Sequence, residues 1–410
     1  MKLTLDKNFE YVTDSQQLEE KISDQESSAY KSASPFYYAV EFLVDININE
    51  LGDRVNIPGE GKLVRYAIKS ENAYSVHLFF NQLNIPEGAK IFCYSPNYEN
   101  VIGAFTRSTV GDIHKLATSE IQGDELIIEY FEPENADFEG EVVLSSIYHA
   151  YKSIYKDAYF GHSGTCNVDI NCPDAYSYQA EKHSVVRLSN GVSLCSGSLV
   201  NNSQTNGIPY LLTAKHCVGS SQYSQWVFYF NYESPFCDGP DGSTSQSISG
   251  CQLRAIGDTL DYCLVQMNAN PPPSYLPYYA GWSVSGVSPT HTTCIHHPSG
   301  DVKKISFDND SPDIATYETG TYGINSHWKI AEWDVGTTEG GSSGSPLFDQ
   351  NRKIIGTLTG GDASCSYNYN DFYSCFHLAW EEESDSVHQL KHWLDPDNSG
   401  VVNCQSYDPH

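Results

Sequence analysis

LLTAKHC, residues 211–217, sets His216 directly after a short apolar run that reads as a strand. An imidazole at a strand end is held firmly enough to act as a general base, although a single His is more often structural. Its neighbours favour chemistry. Cys195, in SLCSGSLV (193–200), is a plausible partner for Cys217. That bridge would close a loop of about twenty residues and contribute roughly 3 kcal/mol in the chain-entropy picture.

Two further stretches answer it. EGGSSGSPLF, residues 339–348, holds Ser343 in a tight turn between glycines. Its hydroxyl is free to be exposed, and the Gly341 and Ser343 amides are unobstructed donors for an oxyanion. A Gly/Ser loop without chemistry has the same composition. Pro346 and a strand-like LFD follow it, so the strand–turn–helix elbow of α/β-hydrolases is excluded. DTLDYCLVQM, residues 258–267, offers the carboxylate that orients an imidazole. Asp261 heads the apolar strand and is expected to be partly buried; Asp258, beside the Gly257 turn, is the more solvated competitor.

The rest of the chain suits an all-β frame. Among 410 residues there are 29 Tyr, 17 Phe, 31 Gly and 19 Pro. Aromatic residues fit half-buried strands, and Gly and Pro punctuate them. Lys and Arg number 23 against 52 Asp and Glu, a formal charge of −29 that opposes nucleic-acid partners. No apolar run of about 18 residues exists, so no membrane helix is expected. Twelve Cys without metal-ligand spacing read as disulfides made in an oxidising compartment. MKLTLDKNFE lacks an apolar signal core; a removed signal peptide and a secreted protein are expected, with an authentic cytosolic start as the alternative.

Only Cys93 lies before residue 160. The first part still looks folded: Tyr74, Val76, Leu78 and Phe80 alternate with Ser75, His77 and Phe79, and similar short runs recur. It reads as a β-sandwich-like domain, residues 1–160, behind a polar and helical N-terminus. YHAYKSIYKDAYFGHSGT, residues 148–165, reads as an exposed connector to a second domain, 161–410. SVHQLKHWLDP, residues 386–396, has Val387, Leu390 and Leu394 at helical spacing and predicts a C-terminal helix.

The order His216, Asp261, Ser343 is that of chymotrypsin-like serine proteases. GTCNVDINCPDA (164–175), CSGSLVNN (195–202), LLTAKHC, DYCLV (261–265), AGW (280–282), IHHP (295–298), GGSSGSPLF (340–348), GGDASC (360–365) and WLDP (393–396) narrow it. The second domain resembles the bacterial lysyl endopeptidases from about Gly161 to Pro396. The resemblance implies two packed six-stranded antiparallel β-barrels with the site between them. It also implies disulfides Cys166–Cys365, Cys172–Cys237 and Cys195–Cys217. Cys251, Cys263, Cys294, Cys375 and Cys404 then remain; an odd number cannot all pair, and Cys263 reads as a buried thiol. A catalytically silent binding or adhesion relative is the alternative, but such relatives lose a triad member and all three candidates are present.

The resemblance also implies specificity. It places a P1-binding Asp at Asp371, six residues past Cys365, while the trypsin-like position six before Ser343 is Thr337. A buried carboxylate there selects protein and peptide substrates with a basic P1 residue; a solvated loop Asp is the plain alternative. Family members carry a His and a Trp that stack on the catalytic His; here Thr359 and Tyr317 match them, so the expectation is cleavage after a basic residue, Lys and also Arg. Ser342 replaces the Asp that pairs with the new N-terminus in trypsin-type zymogens. Residues 1–160 are expected to be an intramolecular propeptide, with Phe160 before the family's mature start and Lys156 the nearest basic P1. Only ten Lys and Arg lie in residues 161–410, so an enzyme cutting after basic residues finds few sites in itself. No cofactor or metal is expected: His296 and His297 are adjacent on a strand and point to opposite faces. A monomer is expected.

Overall fold

The computed structural model describes residues 11–29, 35–154, 163–219, 222–257, 259–318, 322–381 and 383–410, with side chains at 27–29 excluded. Asp258, Lys156, Phe160 and Gly161 lie outside the described residues. The chain forms two compact units: residues 1–27 with 38–153, and residues 28–37 with 154–410.

The first unit is a β-sandwich. A six-stranded sheet centred on Gly61–Lys69 and Glu125–Pro133 faces a five-stranded sheet centred on Ser75–Asn84 and Glu141–Ala150. Val64, Tyr66 and Ile68 from one sheet meet Val76, Leu78 and Phe80 from the other in one core. The alternation at 74–80 does form a strand, Ser75–Asn84, and Ser75 to Phe80 are all buried. His77 is covered by the Tyr148 ring, stacked at 4.5 Å, so the polar face is closed as well. The helix Ser15–Ala29 starts where Asp14 accepts from the Gln16 and Gln17 amides at 2.9 Å, and Leu18 and Ile22 rest on the core.

The second unit carries two antiparallel sheets that each close into a barrel. The first runs Val227–Tyr229, Val185–Ser189, Ser193–Leu199, Tyr210–Thr213 and Cys263–Met267, with Ser247–Ser249 at one edge and Cys251–Ile256 at the other. Those edge pieces are one strand bent at Gly250, so the sheet closes on itself with six strands. Gly250 sits at φ +75°, and a Cβ there would lie 2.3 Å from Asn268 Nδ2; only glycine fits the corner.

The second sheet runs Lys304–Asp308, Thr292–His296, Pro346–Asp349, Ile354–Gly361, Tyr369–Cys375 and His327–Glu332, flanked by Val168–Asp169 and Asp313–Ala315. It closes where the Phe307 amide donates to the Val335 carbonyl at 2.9 Å. Period two divides the apolar residues of both barrels. Val186, Leu211 and Val265 fill the first, and Cys294, Leu347 and Ile355 the second. Their neighbours Val185, Leu212, Leu264, Ile295, Phe348 and Ile354 form a separate core around Trp282 and the C-terminal Leu390 and Leu394. Both faces are buried, which is why these strands read as apolar runs.

The C-terminal helix is shorter than its periodicity predicts, only Leu390–Leu394. Gln389 is extended, with its side chain donating to the Glu381 and Glu383 carbonyls, which leaves Val387 39% exposed and off the buried stripe. The three disulfides expected from the resemblance form, and all six remaining cysteines are free and buried. Among the described residues no helix is long and apolar enough to cross a membrane.

Candidate active site

His216 leaves the strand Tyr210–Thr213 on a single 3-10 turn, and the Cys195–Cys217 bridge ties that turn to the strand Ser193–Leu199. Cys195, His216 and Cys217 lie within ligand distance of one another, but both sulfurs are spent in the disulfide and offer no thiolate to a metal. Asp261, fully buried, grips His216 twice: Oδ1 accepts its amide at 3.0 Å and Oδ2 its Nδ1 at 2.7 Å. Burial alone would raise the Asp261 carboxyl, but the His216 charge and hydrogen bonds and the Thr359 hydroxyl outweigh it and hold it below its usual value. His216 Nε2 has no protein partner among the described residues.

Ser343 is 7% exposed, and its carbonyl accepts the Ser196 amide at 2.8 Å. The next residue, Gly344, presses on the chain just before His216; a Cβ there would lie 2.8 Å from the Ala214 nitrogen. The glycine run therefore seats Ser343 against the strand end that carries His216. The Gly340 carbonyl accepts from the Ser299 amide at 2.5 Å, which turns the Gly341 N–H the opposite way across the same peptide plane. Gly341 has φ +93°, and a Cβ there would sit 2.9 Å from both Gly300 N and His297 O. In place of a carboxylate, Ser342 Oγ meets His296 Nδ1 at 2.7 Å, while His297 Nδ1 meets the Asp301 carbonyl at 2.9 Å. The two histidines thus face opposite ways and brace the turn, with burial pushing the His296 imidazole down to about 3.

A cavity of about 160 Å³ joins Ser343 to Tyr317, Thr359, Gly361 and Asp371. Asp371 is 1% exposed, and its Oδ2 accepts from Trp333 Nε1 at 2.7 Å and Thr338 Oγ1 at 2.6 Å. Burial pushes its carboxyl up to about 6, against the pull of those two donors. The Cβ that Gly361 lacks would lie 2.4 Å from Oδ1. Tyr317 packs against His327 and Phe372, and Thr359 is fully buried. Trp333, Thr338 and His327 give no local sequence signal; strand register places His327 opposite Ser374, while Trp333 and Thr338 reach Asp371 from the segment that follows that strand.

One more element belongs to this surface. Phe36–Tyr37, assigned to the second unit, pairs antiparallel with the edge of Ser193–Leu199, Phe36 opposite Leu194. A Cβ on Gly340 would meet the Phe36 ring at 3.5 Å.

Comparison with known proteins follows the same lines. The family described as lysyl endopeptidase, C-terminal domain, matches residues 160–374. The lysyl endopeptidase of Pseudomonas aeruginosa is 29% identical over 287 residues, 62% of this chain and 60% of that protein. The chain thus spans about 60% of the length of this curated relative. Among solved structures, a serine endoprotease from Yersinia pestis is 13% identical with a TM-score of 0.35, covering 52% of this chain and 66% of the other. The Rv3671c protease from M. tuberculosis, active form, is 15% identical with a TM-score of 0.34, covering 49% and 80%.

Proposed function

Because the chain belongs to the lysyl endopeptidase family, we propose that it is a secreted serine endopeptidase, made as a precursor, that cleaves peptide bonds after Lys. The observation that carries this reading is a cavity lined by both Ser343 and the buried Asp371. Ser343 Oγ attacks the scissile carbonyl while His216 Nε2 takes its proton and then returns it to the leaving amine. Asp261 holds the imidazole in the productive tautomer, and the Gly341 and Ser343 amides receive the oxyanion.

Asp371 binds the P1 cation, and its hydrogen bonds favour Lys over Arg. Oδ2 already accepts from Trp333 and Thr338, so Oδ1 is the oxygen left for substrate. A compact ammonium needs one acceptor; a guanidinium makes its best contact through two parallel bonds. Thr359 and Tyr317 line the same cavity and shape its wall.

Residues 1–160 act as a propeptide. Support comes from Phe36–Tyr37, which extends the strand edge leading to Cys195 and lays an aromatic ring over Gly340. A substrate strand added to this edge competes for the same backbone groups. Labelling with a serine-phosphonylating reagent tests the nucleophile: processed protein should be labelled and Ser343→Ala should not. Mass spectrometry of a digested peptide library then reads P1 directly, and cleavage without a basic P1 preference refutes the assignment.

A further inference from the structure

Ser196 is fully buried in the strand Ser193–Leu199, one residue past Cys195, and the proposed reaction gives its side chain no role. Successive side chains of a strand point to opposite faces. Cys195 turns into the first barrel, and its disulfide ties down the turn that carries His216. Ser196 turns the other way, toward the segment that carries Ser343. There its Oγ donates to the Gly341 carbonyl at 3.0 Å and accepts the His297 amide at 2.9 Å. Its backbone is engaged at the same place: the amide donates to the Ser343 carbonyl at 2.8 Å, and the carbonyl accepts from Thr213 Oγ1 at 2.8 Å.

Hydrogen accounting leaves the hydroxyl one arrangement. It carries a single hydrogen, a backbone N–H can only donate and a carbonyl can only accept. Oγ therefore takes the His297 hydrogen and gives its own to Gly341. Gly341 is the proposed oxyanion donor, and at φ +93° it lacks the Cβ that would restrict rotation of the peptides on either side. Both of those peptides are tied instead. The Gly340 carbonyl accepts from the Ser299 amide, which sets the plane holding the Gly341 N–H. On the other side Ser196 holds the Gly341 carbonyl, and the Ser342 amide of the same plane donates to the Glu339 carbonyl at 3.0 Å. His297 and Ser299 belong to one loop, so the hydroxyl also fastens that loop to the turn it braces.

The geometry points to Ser196 as a positioning residue: its hydroxyl bridges His297 and the Gly341 carbonyl, and so holds the oxyanion turn in register with the strand that fixes His216. This rests on the triad and oxyanion reading above and deepens it. Without the hydroxyl, the Gly341 carbonyl and the His297 amide both lose a buried partner. The turn then regains the freedom to swing its donor away from the position the oxyanion takes.

The test compares processed parent and Ser196→Ala on a P1 Lys peptide. The variant is expected to lower kcat by about five- to fiftyfold, less than the roughly 10²–10³-fold of losing an oxyanion donor outright. KM should stay within about twofold of the parent, because the lost alignment matters only once the oxyanion forms. Two inhibitors divide the effect. n-Butylammonium, which needs only the Asp371 cavity, should inhibit both proteins equally. A peptide aldehyde with P1 Lys, whose adduct with Ser343 carries the oxyanion, should inhibit the variant more weakly, by the factor lost in kcat. Adding Ser196→Ala to Gly341→Ala should cost no further activity, since both act on the same donor. Ser196→Cys, a weaker donor, serves if the Ala variant fails to fold and should shift kcat and aldehyde binding in the same direction. Parent-like kcat and aldehyde inhibition overturn the proposal, as do equal losses for both inhibitors or additive losses with Gly341→Ala. Ser343→Ala separates the two readings. Residual activity there refutes the triad itself, whereas a dead Ser343→Ala beside a parent-like Ser196→Ala refutes only the role of Ser196.

Discussion

If Asp371 binds the P1 cation as proposed, replacing it by Asn should make the protein more stable and a much poorer enzyme on P1 Lys peptides. The side chains are isosteric, and the Asn carbonyl can keep both donors, Trp333 Nε1 and Thr338 Oγ1. Only the charge is lost. Truncating one partner of a buried, hydrogen-bonded ion pair costs about 2–5 kcal/mol, roughly 30- to 5,000-fold in kcat/KM at about 1.4 kcal/mol per decade. The loss should fall on KM for P1 Lys peptides and spare peptides with a neutral P1 of similar length. Folding responds with the opposite sign. The Asp371 carboxyl rises from 3.8 to about 6 on burial, so its protonated form favours the native state below pH 4. That advantage is lost as pH climbs through 6, leaving a burdened carboxylate worth about 3 kcal/mol above it. Asp371→Asn removes this burden, so its melting temperature should exceed the parent's at pH 8 and converge with it near pH 4. In the parent, KM for P1 Lys should rise as pH falls through 6, and that dependence should vanish in the variant. A variant within threefold of the parent on P1 Lys, or one equally impaired on neutral P1 peptides, would refute the reasoning.

Two further substitutions probe the machinery around that pocket. Gly341→Ala places a Cβ 2.9 Å from Gly300 N and His297 O at φ +93°. It should lower kcat by about 10²–10³-fold, as loss of an oxyanion donor does, with KM little changed; steady-state kinetics on a short ester substrate reads both. Phe36→Asp in the uncleaved precursor puts a charge against Gly340 and should speed phosphonylation of Ser343 toward the processed rate; an unchanged labelling rate refutes masking by this segment.

The parts legible in the sequence are those whose physics is local. Gly341 and Gly344 flank Ser343 because the turn demands backbone that side chains forbid, so the turn announces itself. His216 sits beside its own disulfide, and Asp261 opens an apolar strand. Asp371 could be placed by resemblance, but its solvation could not, because burial comes from Trp333 and Thr338 on other segments. His327 is invisible for the same reason: its link to Thr359 depends on barrel closure across 32 residues. The Phe36–Tyr37 pairing joins positions even further apart in the chain. Val387 shows the converse failure, where a helical period was present but Gln389 made better hydrogen bonds in an extended conformation.

The six buried thiols carry a consequence for how the protein is made. Burial raises all of them, Cys93 and Cys294 to about 12 and Cys404 to about 11. Once folded, they are shielded from exchange in the oxidising surroundings expected for a secreted protein. During synthesis no such shield exists, and twelve competent sulfurs compete for three correct bridges. Collapse of the barrel interiors that hold Cys263, Cys294 and Cys375 must therefore run ahead of oxidation. Productive folding becomes a race between burial and the oxidant, and slowing oxidation should raise the yield of native chain.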